Sequence, residues 1–422
     1  MMPPTLGPFS PHRLMPLPSL PVRPAPATRR HLFGLTLLSS LALLAGCGSG
    51  DAEAGSAPPG PSDTDSPRSI IVLIGDGMGA AYFTAARLHK GELAMERMEV
   101  GGLMDQRSAT SLVTGSAEAA TALATGVRTY GGAIGVGLAC PDLMAADSAA
   151  MRADPAACDP LEGVFDVAHG ARMSTGLVAS SSVTHATPAG FGAKVPRRGW
   201  QAEIANQYME GPIQVILGGG QGWFDGRRGT FDDDRLTPFC AAAEVDCLLS
   251  VEEFEAHQPS SQRRLVGLFA EDGMPRYTEG RSPSLPAMTR MALDVLAGNP
   301  SGFVLMVEGS QPDWLGHANA PFHEIAAESA DFDDAVEVAL DFQDQHPDVL
   351  VLVLSDHETG GLALLPDGDS LVAAYSSTGH TGEMVPLFAH GPGAMAFGGI
   401  RDNDEIGGTL VEMVRRIEVA NR

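Results

Sequence analysis

Lysine is almost missing from this chain. Only Lys90 and Lys194 occur among 422 residues, and 27 basic side chains face 52 acidic ones for a formal net charge of −25. Four of the 27 (Arg13, Arg23, Arg29 and Arg30) stand in the first 47 residues, which contain no acid. The rest therefore carries 23 basic against 52 acidic groups, or −29. So acidic a chain repels a phosphate backbone, which excludes nucleic acid as a partner. Cysteine is scarce too. None of the five has zinc-knuckle spacing, so none reads as a metal ligand. After residue 45 no apolar run is long enough to cross a bilayer as a helix, and no internal repeat is evident.

The apolar run Leu32 to Ala45 is too short to span a bilayer but suits the h-region of a signal peptide. Thr28-Arg29-Arg30-His31-Leu32-Phe33 resembles a twin-arginine export signal. Leu44-Ala45-Gly46-Cys47 resembles a bacterial lipobox, with Cys47 as the lipidated residue. An ordinary cleaved signal is the alternative, and Met15 is an alternative start. Residues 1–47 thus read as a signal segment and 48–67 as a Gly/Ala/Ser/Pro/Asp tether reaching roughly 25 Å. Residues 68–422 read as one domain. The expected location is outside the cytoplasm, periplasmic or on the cell envelope, with the lipid at Cys47 as the membrane contact. Four further cysteines in an exported protein suggest two disulfides. Three pairings exist, and Cys140–Cys158 with Cys240–Cys247 is preferred because each closes a short loop.

The stretch Ile70 to Gly79, IIVLIGDGMG, organises the remainder. A short aliphatic run closed by glycines reads as a strand buried on both faces. Asp76 then sits at its carboxyl end, where open α/β sheets place ligand sites, although a capping role remains open. Ser116 heads the Ala-rich run SAEAATALAT closed by Gly126, a helix pattern. It is either an N-cap or a nucleophile at the positive end of a helix. The strand Ser174 to Ala179 leads to His185 and Thr187, and the short strand Val215 to Leu217 opens on glycines. Asp225 to Ser261 reads as polar and peripheral. The strand ending at Val307 runs into Glu308. Asp313 and His317, four apart, share a helix face, a good spacing for two metal ligands. The aliphatic strand Val349 to Leu354 ends in Ser355-Asp356-His357, and His380 lies between glycines.

These residues carry a resemblance. GDGMG, TGSAEAATALATGVRTYGGAIGV, VTHATPA, RRLVGLFA, VEGSQPDWLGHAN, LSDHETGG and GHTGE occur in the order found in alkaline phosphatases, from about Ile70 to the C-terminus. The resemblance implies an α/β fold, a single domain with a large, mostly parallel central β-sheet and helices on both faces. It implies a phosphomonoester hydrolase with two zinc ions and one magnesium ion, working through a phosphoserine at Ser116. Matched motif by motif, Asp313, His317 and His380 hold the first zinc. Asp76, Asp356 and His357 hold the second, completed by Ser116. Asp76, Thr187 and Glu308 take magnesium with waters, and His185 stands behind them. Arg198 binds the phosphate, with Arg197 as the alternative register. The donor types agree, since histidine and carboxylate suit zinc while carboxylate, hydroxyl and water suit magnesium. The family is commonly dimeric, which suggests a homodimer.

Three positions depart from the best-known pattern of the family. His185 replaces an Asp, Trp314 replaces a Lys that contacts phosphate through water, and Gly115 replaces an Asp that pairs with the phosphate-binding arginine. The first two put the third metal's identity and affinity in question. The third is expected to loosen Arg198, unless Glu118 substitutes. Two alternatives stand beside the phosphatase: a diesterase or nucleotide pyrophosphatase of the same superfamily, and a non-catalytic lipoprotein that binds phosphate or metal. A sulfatase is excluded, because the Ser116 segment lacks the Cys/Ser-x-Pro-x-Arg motif.

Overall fold

A computed structural model describes residues 66–140, 158–229, 233–368 and 370–420. The signal segment and nearly all of the tether lie outside the described residues. Fourteen strands are described: β1 Ser69–Gly75, β2 Val100–Asp105, β3 Ser174–Ser182, β4 Val215–Gly219, β5 Val245–Leu248, β6 Arg264–Leu268 and β7 Phe303–Gly309, then β8 Val349–Leu354, β9 Glu358–Thr359, β10 Leu362–Asp367, β11 Ser370–Tyr375, β12 His380–Thr381, β13 Val385–His390 and β14 Gly399–Asp402. Ten form one sheet in the order β14-β2-β13-β8-β1-β7-β3-β4-β6-β5. All run parallel except β13, which is antiparallel to both its neighbours.

β1 lies at the centre because its residues are apolar on both faces. Ile70, Val72 and Ile74 face the helices Ser116–Thr125, Val164–Gly170, Ala186–Gly192, Gln201–Glu210 and Asn403–Ala420. Ile71 and Leu73 face Ala80–Lys90, Leu285–Leu296 and Phe322–Gln345. All five are fully buried, and each such side chain stabilises the fold by about 1.5–3 kcal/mol. This doubly covered parallel sheet matches the expected fold class.

Register aligns the carboxyl ends that matter. Ile74 pairs with Glu308 of β7 and with Leu354 of β8, and Glu308 pairs with Ala179 of β3. Asp76 and Asp356, each two residues past those pairs, therefore emerge side by side. The chain turns at Gly77 with φ +73°, where a Cβ would fall 2.7 Å from Asp313 Cα. Only glycine lets these two segments approach so closely.

Several strands run longer than their sequence signal, β3 to Ser182 and β4 to Gly219. The segment read as peripheral supplies β5, the outermost strand on one side. Disulfides join Cys140 to Cys158 and Cys240 to Cys247, the preferred pairings.

Candidate active site and metal centre

The strand ends deliver a cluster of buried carboxylates. Asp76, Glu308 and Asp356 are fully buried, and Asp313 nearly so. Both oxygens of Asp76, one of Glu308 and one of Asp356 have no hydrogen-bond partner, nor does the Thr187 hydroxyl. Buried polar atoms left this way are costly unless a cation or water serves them. Burial, followed by the charges of Asp356 and Asp313, pushes the Asp76 pKa well above its ordinary value. Burial, then Asp313, lifts Asp356 to about 6. Burial also raises Glu308. Four acids packed this closely could hold divalent metal.

The histidines are oriented to serve it. His317 Nδ1 meets Thr378 O at 2.6 Å, and His380 Nδ1 meets Thr114 O at 2.7 Å. A backbone carbonyl can only accept, so each Nδ1 carries the proton and each Nε2 presents a lone pair. The two Nε2 atoms converge to 3.2 Å, at 3.3 and 3.5 Å from Asp313 Oδ1. Asp313 and His317 do share one face of the short helix Gln311–His317. His357 Nε2 lies 3.2 Å from Asp356 Oδ2, 3.4 Å from Asp76 Oδ1 and 3.2 Å from Ser116 Oγ. Burial, with His380 second, holds His357 neutral down to about pH 3.

Among the described residues, three groups of ligand atoms lie close enough together to hold a metal ion: Asp313 with His317 and His380, Asp76 with Asp313 and His357, and Asp76 with His185 and Glu308. The first is the set read from sequence. The second brings Asp313 in as a bridge beside Asp76 and His357, with Asp356 adjoining through His357. The third places His185 beside Asp76 and Glu308, with Thr187 two residues further along the same chain.

Ser116 is not an N-cap. Gly115 is, and Ser116 is the first helical residue, buried, with its hydroxyl turned to His357. Arg198 enters from the segment after β3, and its Nη2 stands 2.9 Å from His185 Nε2. Gly115 was expected to leave this arginine loose; in the structure His185 supplies it with a hydrogen-bond acceptor. Glu118 does not reach the guanidinium. Its two oxygens accept the backbone N–H groups of Gly115 at 2.7 Å and Gly132 at 2.8 Å. Trp314 packs edge-on against His185, ring centroids 5.8 Å apart.

A serine hydroxyl, an arginine and a set of carboxylates and histidines that could hold metal thus converge at the carboxyl ends of the central strands. The alkaline phosphatase family model matches residues 67–373, most of the chain. The chain belongs to the alkaline phosphatase family. It is 32% identical to alkaline phosphatase 3 of Bacillus subtilis, over 80% of this chain and 71% of that protein. Among solved structures it resembles the alkaline phosphatase of the Antarctic bacterium TAB5, with a TM-score of 0.74 and 32% identity over 83% of this chain and 99% of that one. It equally resembles a histidine-to-aspartate mutant of that enzyme with magnesium bound in its M3 site, TM-score 0.74 and 31% identity over the same shares.

This phosphatase also uses residues that sequence reasoning missed. Thr359 donates to Asp313 Oδ1 at 2.5 Å and lies 3.3 Å from His357 Nδ1, so it touches two candidate metal ligands at once. Ser181 donates to Glu308 Oε2 at 2.8 Å. Thr359 follows the Asp-His pair by two residues, a signal that was present. Ser181 offers only its place near the end of β3.

Proposed function

We propose that the protein hydrolyses small phosphomonoesters through a phosphoserine at Ser116, with two zinc ions and one magnesium ion. The observation that carries this reading is the Ser116 hydroxyl at the start of a buried helix, 3.2 Å from His357 Nε2, which itself lies 3.4 Å from Asp76 Oδ1 and 3.2 Å from Asp356 Oδ2, two oxygens that lack hydrogen-bond partners. One zinc belongs with Asp313, His317 and His380, the other with Asp76, Asp356 and His357, and magnesium with Asp76, Thr187 and Glu308. When bound, such metals lower hydroxyl and water pKa values and neutralise charge on the transferring phosphoryl group.

The chain's own groups do the rest. The positive end of the helix favours the ionised Ser116 and an incoming phosphate. Arg198 offers a planar fork of N–H donors to two phosphate oxygens. Ser116 Oγ attacks phosphorus in line; the ester oxygen leaves with the electron pair and takes up a proton as the free alcohol. Water then attacks the phosphoserine from the vacated side and releases phosphate and the serine. Positioning and charge supply most of such catalysis. His185 supports the third site without ligating it. Its Nε2 accepts from Arg198, so the proton sits on its buried Nδ1, which suits it to orient a water.

Labelled phosphate trapped in acid is expected on Ser116, and Ser116→Ala is expected to lose several orders of magnitude in kcat. Label on another residue sinks the assignment. Chelation is expected to abolish activity, and zinc with magnesium to restore it. Rates on p-nitrophenyl phosphate should far exceed those on its bis ester; the reverse order makes the protein a diesterase. We also propose an exported lipoprotein tethered through Cys47. Cys47→Ser is expected to move it from the membrane to the soluble fraction, and a wild type already soluble refutes the anchor. The family's habit suggests a homodimer, which light scattering tests.

A further inference from the structure

The arginine and the nucleophile come from distant segments, and what sets one against the other is visible. The turn Tyr130–Ile134 carries the arginine segment. Ile134 and Val195 exchange backbone hydrogen bonds at 2.9 and 3.0 Å, Tyr130 donates its hydroxyl to Pro196 O at 2.9 Å, and Arg198 N donates to Gly132 O at 2.8 Å. That turn is tied in its own right to the nucleophile's helix. One tie is Thr121, whose hydroxyl donates to Ala133 O at 3.1 Å and accepts from Gly135 N at 3.0 Å. The other is Glu118, which is only 6% exposed. One of its oxygens accepts the N–H of Gly115, next to Ser116, and the other accepts the N–H of Gly132, whose carbonyl holds Arg198.

We infer that Glu118 is a positioning residue that fixes the distance between the Ser116 hydroxyl and the Arg198 guanidinium by bridging the N–H groups of Gly115 and Gly132. A carboxylate suits this task because its two oxygens accept in two directions at once. A buried carboxylate also persists only where its lone pairs are served, so the two N–H groups and the acid hold each other in place. Thr121 anchors the far end of the turn, and Glu118 the end from which the arginine hangs. Both oxygens of Glu118 are engaged by backbone N–H groups and not by the guanidinium or the serine hydroxyl. Glu118 acts through Gly132 on the arginine and through Gly115 on the serine. The inference rests on Ser116 and Arg198 being the nucleophile and the phosphate ligand.

Glu118→Gln keeps the size but replaces one acceptor with an NH₂ that faces a backbone N–H. The test measures inhibition by inorganic phosphate in four proteins, all loaded with zinc and magnesium: wild type, Glu118→Gln, Arg198→Ala and the double variant. Phosphate inhibition reads the arginine whichever group is the nucleophile, so a failure of the Ser116 assignment in acid trapping is seen separately. We expect the phosphate Ki to rise about tenfold on Glu118→Gln in the wild type and less than twofold in the Arg198→Ala background, because distant independent changes add and coupled ones do not. Equal factors in the two backgrounds would make Glu118 a merely structural acid and overturn the inference; so would an unchanged Ki. Should Glu118→Gln not accumulate as folded protein, Glu118→Asp, which retracts the carboxylate by one methylene, carries the same two arms.

Discussion

His185 Nε2 and Arg198 Nη2 stand 2.9 Å apart, and a guanidinium can only donate. The histidine is therefore a neutral acceptor. Burial, and then the arginine's own charge, push its pKa down to about 3, so it keeps this role through the working pH range. Its other neighbour, the Trp314 ring, closes one side of the imidazole. The indole in turn needs Gly273, where a Cβ would meet Trp314 Cη2 at 2.5 Å.

The acceptor can be kept or removed by substitution. His185→Gln retains an oxygen that can take the Arg198 N–H, and His185→Leu does not. A hydrogen bond to a charged group contributes about 1.5–3 kcal/mol, and tenfold in Ki corresponds to about 1.4 kcal/mol. We therefore expect His185→Leu to weaken phosphate inhibition by about tenfold and His185→Gln by less than about threefold. Metal content is measured alongside in each protein. Equal losses in the two variants would show that the acceptor at this position does not hold the arginine.

Gly115→Asp follows a different logic from the one the sequence suggests. Read alone, the substitution restores a carboxylate beside Arg198 and should tighten phosphate. In the structure a Cβ at Gly115 lies 3.2 Å from Glu118 Oε1, and that oxygen already accepts the Gly115 N–H. A second carboxylate there meets a buried one of like charge. We expect weaker phosphate inhibition and a stability loss of about 1–3 kcal/mol, within the usual range for a damaged buried network. Phosphate Ki and a denaturant titration of the single variant decide it. Tighter inhibition at unchanged stability would return the argument to the missing carboxylate.

The parts of this site legible in the sequence are those that sit at strand ends. Asp76, Glu308, Asp356 and His357 each follow an aliphatic run, and buried parallel strands announce themselves by that run. Asp313 and His317 were legible through helical spacing. What could not be read is contact between distant segments. Nothing at Gly115 or His185 says that the second supplies Arg198 with an acceptor, because that contact exists only once β3 and the Ser116 helix are packed. The strands β2, β13 and β14 were illegible for a related reason. Pro386 stands inside β13 and two glycines inside β2, and both residue types argue against a strand when read locally. The order of strands in the sheet, with one antiparallel member, is likewise a property of packing and not of local pattern.

The buried acids make a last prediction about pH. Asp356 has its pKa raised to about 6, Asp76 lies well above the ordinary value and Glu308 is raised as well, in each case chiefly by burial. A carboxyl group whose folded pKa is raised adds stability below its unfolded pKa, and that stability is lost as pH rises through the folded value. Without metal, the folded protein therefore carries the full Asp356 penalty at pH 8, and this is relieved as pH falls from about 6 towards the unfolded value of about 3.9. His185 and His357, both depressed to about 3, act oppositely. Their stability is present above the unfolded pKa of about 6.5 and is lost as pH falls towards 3. Metal removes the carboxylate penalty at high pH by supplying the missing positive charge. The gap between metal-loaded and chelated protein is thus expected to be widest at pH 8 and to narrow as pH falls from about 6 to 5, where Asp356 takes up a proton in place of metal. Thermal unfolding in matched buffers, with and without chelator, measures that gap. A gap that stays constant or widens as pH falls from 6 to 5 would mean that the strand-end acids are not what the metals neutralise.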